Sequence, residues 1–368
     1  VLDVEQEIST ESTGSGDTTF FYLQLYFFLV AAVFAASVWS ILDRNRKEYN
    51  ALHYWLMIGL RYYLAIHLWS YGFEKVYQLQ FPTPSLERLV QPYGDSTPMG
   101  LAWTFMGYSK LYNYFTGFAE VLGGALLLFR RTATLGALVS LLVMLNVAVM
   151  NYSFDIPVKL FSTTLAVMCL YLLTQQIKAL YSFFIDHRLT KLTLFPVPFS
   201  QNKPLKTTSR ILKYSLIGYE LFNNISENRR WDIEQGDNAP KPPLYGIYYT
   251  ENFVRNNDTL PPLATDSLYW KRMIVTEYGY ASILSMNDTL RYYDFKTDTL
   301  KKQIEATSYE DSEEKHLLQY ERIGKNHLLL TGKWKNDSVS VRFRKKDAKE
   351  FPLVNTGFNW INEYPNNK

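Results

Sequence analysis

The sequence predicts a membrane α-helical bundle followed by a small antiparallel β-barrel or β-sandwich, because the chain changes character near residue 225. Before that point, several apolar runs have about the 17–25 residues that a helix needs to cross the hydrocarbon core of a bilayer. After it, short segments rich in β-branched and aromatic residues alternate with turn residues. The overall content of 20% charged residues and the net charge of +3 average two unlike halves.

Six runs in the first part are predicted to span a membrane. They cover residues 20–41, 52–73, 112–129, 132–151, 158–175 and 211–225. The last run is short and carries Lys213, Glu220 and Asn224 on one helical face. It is predicted either to span with this polar stripe turned inward or to lie at the interface. We therefore expect about six visible transmembrane helices in a domain over residues 20–226, preceded by an exterior tail over 1–19.

Basic residues predict the orientation of the spans, since short loops rich in Lys and Arg stay on the cytoplasmic side. These residues are concentrated in 42–50, 130–131 and 178–213, which alternate along the chain and so agree with one another. The tail, the 74–111 loop and the second part of the chain are then expected outside a bacterial cytoplasmic membrane. Because an exterior tail must itself be carried across and the chain opens with Val1, one further helix is expected before it.

The second part is predicted to be a periplasmic β-domain over 247–368, reached through a polar and proline-rich linker at 227–246. Seven to nine short strands are expected, separated by NDTL, TDTL and NDSV turns in which Asn and Asp tolerate the left-handed conformation. A closed domain filled by its own side chains is expected, and the alternative is a lipocalin-like barrel that holds a ligand. His316 and His327 are isolated in the sequence and are expected at the surface.

The residue that most requires an explanation is Glu120, in the run YNYFTGFAEVLGGALLLFRR at 112–131. An acid about one turn inside the outer end of a span must face the bundle interior or a wet cavity. Gly117, Gly123 and Gly124 would let another helix approach closely. Two interpretations follow: an interhelical hydrogen bond or ion pair that fixes the packing, or a ligand or proton site.

Other polar residues are expected on the same outer half of the bundle. On the second span, His67, Tyr71 and Glu74 recur at helical spacing with Lys75 beside them. Together with Glu120 they predict a polar pocket that opens outward, in which Lys75 and Glu120 pair. The candidate ligand-binding residues are Glu120, Lys75, His67, Tyr71, Glu74, Asn146 and Asn151, and the candidate mouth consists of Arg88, Gln91, Tyr93, Asp95 and Trp103.

The sequence has no self-contained catalytic motif, and it predicts neither a metal site nor a nucleic-acid surface. Its histidines do not cluster, and phosphate-loop and nucleophile motifs are absent. His53 and His67 share a helical face 14 residues apart, a spacing that suits two stacked haems, but no other span offers a second axial histidine. Cys169, the single cysteine, lies within a span and is expected to pack there.

Two segments resemble the DoxX-like superfamily of small bacterial membrane proteins: YGFEKVYQLQFP at 71–82 and FTGFAEVLGGALLLFRRTATLGAL at 115–138. In that superfamily a four-helix core carries a Gly-x-x-Glu element on its second helix, with a basic turn after it. The resemblance extends over about residues 52–175. The flanking helices, the long exterior loop and the β-domain depart from the simple family.

The resemblance maps the Gly-x-x-Glu element to Gly117 and Glu120, and an aromatic-Gly-x-x-Lys element to Tyr71, Gly72 and Lys75. The superfamily includes the small subunit of a thiosulfate:quinone oxidoreductase, so the resemblance implies quinone as the cofactor to consider.

Two functions are therefore weighed. The first is a non-enzymatic integral membrane protein of the bacterial envelope, in which the bundle anchors or holds a lipid-like ligand while the β-domain engages a protein partner. The alternative is a quinone-associated membrane subunit of an oxidoreductase. In that case Glu120 and Lys75 would bind a quinone headgroup or relay protons to it, while a partner supplies the electrons.

Overall fold

The computed structural model describes residues 13–192 and 203–365, which form two compact units. The helical unit comprises the described residues of Val1–Phe81 and Thr97–Asp232, and the barrel unit comprises Pro82–Ser96 with the described residues of Ile233–Lys368. Most of the expected exterior tail and part of the expected basic connection lie outside the described residues. One segment of the 74–111 loop thus belongs to the barrel unit, which the sequence does not predict.

The described residues contain ten α-helices. They are α1 (Thr19–Leu42), α2 (Asn50–Val76), α3 (Leu86–Val90), α4 (Pro98–Tyr108), α5 (Lys110–Leu128), α6 (Ala133–Ser153), α7 (Lys159–Thr174), α8 (Ile177–Phe184), α9 (Lys203–Glu234) and α10 (Pro352–Asn355). Of these, α3 and α10 belong to the barrel unit. The core of the helical unit is formed by four helices: α2 packs against α5 and α7, and α6 packs against the same two. Cys169 is fully buried in this core, as expected.

Helices α2 and α5 approach closely because glycine stands at their contact. A β-carbon on Gly117 would lie 2.7 Å from the carbonyl oxygen of Gly72, and one on Gly72 would lie 2.9 Å from the carbonyl oxygen of Gly117. Farther along the same contact, a β-carbon on Gly124 would lie 2.7 Å from the indole of Trp69. That indole donates a hydrogen bond to the Val121 carbonyl oxygen at 3.0 Å. The close helix approach predicted at Gly117 and Gly124 is confirmed, and the predicted Gly123 meets Ser140 of α6 in the same way.

Two of the described helices, α1 and α6, are long and apolar enough to cross a membrane, or three segments if α7 and α8 form one span bent by 80°. Six spans are therefore not evident from length and composition alone. The reason is that α2, α5 and α9 carry polar and charged residues along their length, including Arg61, Glu120 and Lys213. In contrast, α1 carries no charged residue and buries none of its side chains.

Helix α9 is much longer than the predicted run at 211–225. Its buried residues are Asn224 and Asn228, whose amides donate to the carbonyl oxygens of Glu220 and Asn224 on the preceding turn. At the other end of the run, the Lys213 ammonium donates to the Leu128 carbonyl oxygen at 2.6 Å. Lys213 and Asn224 thus follow the predicted inward stripe, in a helix that extends more than two turns further at each end.

The barrel unit contains a closed antiparallel barrel of eight strands, built from β1 and β3 to β9 in sequence order and closed by β1 pairing with β9. The strands are β1 (Gly246–Arg255), β2 (Asp258–Thr259), β3 (Trp270–Val275), β4 (Tyr280–Ser285), β5 (Leu290–Asp298), β6 (Gln303–Ser308), β7 (Lys315–Ile323), β8 (His327–Trp334) and β9 (Asp337–Lys346). The short β2 adds to β1 alone. Asn257 and Asp288 adopt positive φ in the predicted NDTL turns, as expected of these residue types.

The interior of the barrel is filled by large side chains, among them Trp270, Tyr293 and Phe343. Burial among these side chains raises the pKa of Tyr248 and of Tyr293 to about 12. A filled barrel fits the first expectation and leaves no support for the lipocalin-like alternative.

The expectation that His316 lies at the surface is wrong. Its imidazole is buried and stacks on the Trp334 ring with the centroids 4.0 Å apart, while its Nε2 lies 2.9 Å from Glu314 Oε1. Along β7 the buried positions alternate, so His316 points inward together with Leu318 and Tyr320. The same alternation can be read from the sequence KHLLQY, and it could have predicted that His316 points into the barrel. His327 remains partly exposed, 3.4 Å from a Glu251 carboxylate oxygen.

Segment 82–96 packs on the outer side of the barrel. Leu86 of α3 is buried with Ile247 of β1 and Ile274 of β3. The Tyr280 hydroxyl donates to Glu87 at 2.9 Å, and the Thr83 hydroxyl donates to Asp237 at 2.9 Å. The physical reason is that β1 and β3 carry apolar residues on both faces, so the outer face needs a cover that α3 supplies.

We expect Gly117→Ala to lower the free energy of unfolding of the helical unit by about 1–3 kcal/mol, because the added methyl overlaps the Gly72 carbonyl. The matched control is Gly218→Ala in α9, where an added β-carbon meets no atom within 4 Å. That change should leave the stability equal or slightly higher, since alanine favours helix. Thermal unfolding of the purified protein in detergent measures both variants, and an equal effect of the two would contradict the close contact.

Candidate functional site

The centre of the candidate site is a buried ion pair between Lys75 of α2 and Glu120 of α5. The Lys75 Nζ lies 2.7 Å from Oε1 and 2.6 Å from Oε2 of Glu120, so one ammonium donates to both carboxylate oxygens. The two side chains are only 6% and 1% exposed. This is the pairing that the sequence predicts.

The glycine contact between α2 and α5 is what brings these two side chains together. Gly72 and Gly117 lie three residues before Lys75 and Glu120 on their helices, and thus about one turn away. The Lys75 Cβ would be 3.0 Å from a β-carbon on Gly117, so the lysine stem crosses the bare backbone of α5. A larger residue at 117 would keep the ammonium from reaching the carboxylate.

The pair leaves hydrogen-bonding capacity unused. An ammonium has three N–H donors, and among the described residues Lys75 donates only to the two oxygens of Glu120. Each carboxylate oxygen can accept a further hydrogen bond beyond the one from Lys75. Because an isolated charge is costly to bury, each group lowers the cost of burying the other, and the pair is neutral overall.

A cavity of about 180 Å³ lies beside the ion pair, lined by residues of the helical unit. Polar groups reach it from Lys75, Glu120, His67, Tyr71, Gln80, Trp103, Asn151 and Ser162, and the remaining lining is mainly apolar, including Phe81, Met144, Phe161 and Leu165. An engineered cavity of about 150 Å³ in another protein accepts benzene, so this cavity has room for one six-membered ring. A cavity therefore adjoins the ion pair, which is not a closed packing contact.

His67 is held at the cavity wall by aromatic contacts. Its ring centroid lies 4.4 Å from that of Tyr63 and 5.3 Å from that of Phe161, with edge-to-face geometry in both contacts. Among the described residues its ring nitrogens have no hydrogen-bond partner, so a molecule in the cavity could pair with one of them. No group of three or more possible metal ligands occurs in the described parts of the chain.

Six of the predicted site residues line this cavity. They are Glu120, Lys75, His67, Tyr71, Asn151 and Trp103. Asn151 is fixed by its amide, which donates to the Ser162 hydroxyl at 3.0 Å. Glu74 does not line the cavity, because the lining stripe of α2 runs through His67, Leu68, Tyr71 and Lys75, and Glu74 lies at its edge.

The other predicted residues lie elsewhere. Asn146 is exposed, since α6 turns Met144, Val147 and Asn151 toward the cavity and therefore Asn146 away from it. The predicted mouth residues Arg88, Gln91, Tyr93 and Asp95 belong to the barrel unit, where the Arg88 guanidinium donates to the Gln91 side chain at 2.6 Å. They are not among the residues that line the cavity. Of the predicted mouth, only Trp103 on α4 is a lining residue.

The sequence interpretation missed Gln80 and the segment before α1. The Gln80 Oε1 is buried without a hydrogen-bond partner in the described structure, and Gly14 also lines the cavity. The carboxylate of Asp17 accepts hydrogen bonds from the backbone N–H groups of Lys159 and Leu160 at 2.8 and 2.9 Å. It thereby satisfies two free donors at the start of α7 and fixes the described residues just before α1 beside the cavity. Neither Gln80 nor Asp17 lies in a sequence pattern that would mark it as a site residue.

The fold and the site together define a class of protein: a helical unit with an ion-paired polar cavity, joined in one chain to a closed antiparallel barrel. The uncharacterized protein YwoB of Bacillus subtilis (strain 168) is 44% identical to this chain over 115 residues, which are 31% of this chain and 71% of YwoB. The chain belongs to the same family as YwoB. No protein-family model matches the chain, and no solved structure matches it.

We expect Glu120→Ala to lower the free energy of unfolding by about 3–5 kcal/mol, because it leaves the Lys75 ammonium buried without a counter-ion. Lys75→Met should have a similar effect, because it leaves the Glu120 carboxylate buried without a counter-ion. The double variant Lys75→Met/Glu120→Ala should lose much less than the sum of the two single losses, since no charge remains. Unfolding titrations of the four proteins in detergent give the coupling free energy, and strictly additive losses would show that the two charges do not interact.

Proposed function

We propose that the chain is a non-enzymatic integral membrane protein of the bacterial envelope. Its helical unit holds a small, mainly apolar molecule in the cavity beside Lys75 and Glu120, and its periplasmic barrel unit engages an envelope partner. The observation that carries the proposal is the ring-sized cavity next to a buried ion pair with unused hydrogen-bonding capacity.

The chemistry of the cavity favours an uncharged ligand with a polar end. Because Lys75 and Glu120 neutralise each other, the site offers no net charge to attract an ion. The remaining N–H of Lys75 would donate to an oxygen of the ligand, and His67 would supply a second hydrogen bond. The apolar walls from Met144, Phe161 and Leu165 suit a ring or the start of a lipid-like chain.

The membrane assignment rests on the apolar helices. In water, α1 would expose a helix of 24 residues that buries nothing, whereas in a bilayer the same surface is solvated by lipid. With α1 and α6 as spans, α2, α5, α7 and α9 would complete six, with their charged residues turned into the bundle. The DoxX-like resemblance over about 52–175 supports the same arrangement.

The contacts at the two ends of the helical unit agree with the orientation predicted from the basic loops. At one end, Asp17 binds the start of α7. At the other, Arg61 and Lys213 donate to the last carbonyl oxygens of α5, next to the arginines at 130–131. We place the basic end in the cytoplasm. The N-terminal tail, the Lys75 end of α2 and the barrel unit are then outside.

Reporter fusions test this topology. Alkaline phosphatase, which is active only outside the cytoplasmic membrane, should be active when fused after residue 156 or 368 and inactive after residue 130. A fluorescent protein that matures in the cytoplasm should give the opposite pattern. Cytoplasmic activity of the fusion after 368 would show that α9 does not cross the membrane and would place the barrel unit inside.

A second candidate function is a quinone-associated subunit of an oxidoreductase. The size of the cavity, which suits a single ring, favours it, together with the hydrogen-bonding groups of Lys75 and His67. The DoxX-like resemblance points to the same ligand. In this case a partner would supply the electrons, and Glu120 and Lys75 would hold the quinone headgroup.

A cavity-filling variant tests ligand binding and separates the two candidates. Val147→Phe places a ring into the cavity, whereas Val143→Phe, one turn earlier on α6 and also half-buried, changes a residue that does not line it. We expect an apolar small molecule to copurify at about one per chain with the unaltered protein and with Val143→Phe, and to be lost from Val147→Phe. Organic extraction followed by mass spectrometry identifies the molecule.

A quinone in the extract would favour the second candidate, and a lipid-like molecule without redox chemistry would favour the first. Retention of the same molecule by Val147→Phe, or no copurifying molecule in the unaltered protein, would contradict a ligand role for this cavity.

A further inference from the structure

A second, smaller cavity lies at the opposite end of α2 from Lys75. Its volume is about 70 Å³, and it is lined by polar side chains of Arg61, Arg130, Thr134, Gln175 and Gln176, together with Tyr54. These residues come from four places in the helical unit. Arg61 and Tyr54 are on α2, Arg130 is in the turn after α5, Thr134 is in the first turn of α6, and the glutamines stand at the 80° bend between α7 and α8.

The charges at this cavity are not compensated. Neither Arg61 nor Arg130 forms an ion pair with a carboxylate in the described parts of the chain. The Arg61 Nε donates to the Leu127 carbonyl oxygen at 2.8 Å, which engages one of its five N–H donors. The carboxyl end of α5 carries only about half a negative charge. The Lys213 ammonium also interacts with this end, because it donates to the Leu128 carbonyl oxygen. Among the residues that the structure describes, at least one full positive charge at the cavity therefore has no counter-charge.

The amino end of α6 adds to the positive field. Thr132 precedes α6, but its hydroxyl donates to the carbonyl oxygens of Leu126 and Phe129 and does not cap the helix. Within the described structure, the first N–H groups of α6 thus have no side-chain cap, and Ala133 and Thr134 of this turn line the cavity. Such an end carries about half a positive charge and commonly binds phosphate groups. Here it supplements the two guanidinium groups.

We propose that this cavity, named the Arg61–Arg130 site, binds the phosphate group of an anionic molecule. Guanidinium groups match the planar, paired oxygens of a phosphate, and two of them at one cavity provide the counter-charge that one phosphate requires. The Gln175 amide and the Thr134 hydroxyl supply neutral hydrogen bonds around it. Two sources carry this chemistry: the headgroup of an anionic lipid and free inorganic phosphate. The site is distinct from the Lys75–Glu120 cavity and does not depend on what that cavity holds.

The test compares Arg130→Gln with Arg131→Gln. The two changes remove the same charge from adjacent residues, but Arg131 is exposed and does not line the cavity. Full-length protein in a neutral detergent is titrated in two arms with the melting temperature as the readout. One arm adds sodium phosphate against sodium chloride at equal ionic strength, and the other adds phosphatidylglycerol against phosphatidylcholine.

We expect a saturable rise in the melting temperature with at least one of the phosphate-bearing probes. The apparent affinity should fall roughly tenfold or more in Arg130→Gln, as for loss of a charge-assisted hydrogen bond, and should be unchanged in Arg131→Gln. A rise with phosphatidylglycerol alone would identify a lipid headgroup, and a rise with both probes would identify the phosphate group itself.

Equal weakening by Arg130→Gln and Arg131→Gln would overturn the proposal, because it would reveal general attraction to a basic surface. The absence of a saturable response to both probes would overturn it as well. Arg61→Lys serves as a second variant, since it keeps the charge and can still reach the Leu127 carbonyl but loses the planar fork. It should weaken binding while the melting temperature without added ligand stays close to that of the unaltered protein.

Discussion

The pair of Lys75 and Glu120 is the interaction on which the helical unit depends most. Neither group could be buried alone, because an unpaired charge in an apolar bundle is costly. The pair forms only because Gly72 and Gly117 let α2 and α5 approach to backbone contact. The same contact fixes the α2 stripe that carries His67 and Tyr71, and so determines where the cavity lies.

The two ends of the helical unit differ in how their buried charges are compensated. Near the carboxyl end of α2, Lys75 and Glu120 neutralise each other and leave a cavity suited to an uncharged molecule. Near its amino end, Arg61 and Arg130 share a small cavity without a carboxylate. The carboxyl end of α5 reduces the positive field there and the amino end of α6 adds to it. These partial charges are too small to cancel two guanidinium groups. The two cavities are therefore expected to bind ligands of different charge.

Much of this could be predicted from the sequence, since local patterns determine it. The apolar runs predict the main helices, the alternation of residues predicts most strands, and Glu120 in an apolar run predicts a buried partner. Long-range packing could not be predicted. Strand β6 has only Ile304 and Ala306 as buried apolar residues, and segment 82–96 covers the barrel because Ile247 and Ile274 face outward, which no local pattern reveals.

The central claim is that Lys75 and Glu120 form a charged pair at the base of the cavity. Solid-state NMR of the protein in lipid bilayers, with ¹⁵N at lysine Nζ and ¹³C at glutamate Cδ, measures their dipolar coupling directly. With Nζ 2.6–2.7 Å from both carboxylate oxygens, we predict a strong coupling between an ammonium and an ionised carboxylate that is absent from Glu120→Gln. A spectrum that Glu120→Gln leaves unchanged, or a carboxyl shift typical of the protonated acid, would contradict the account.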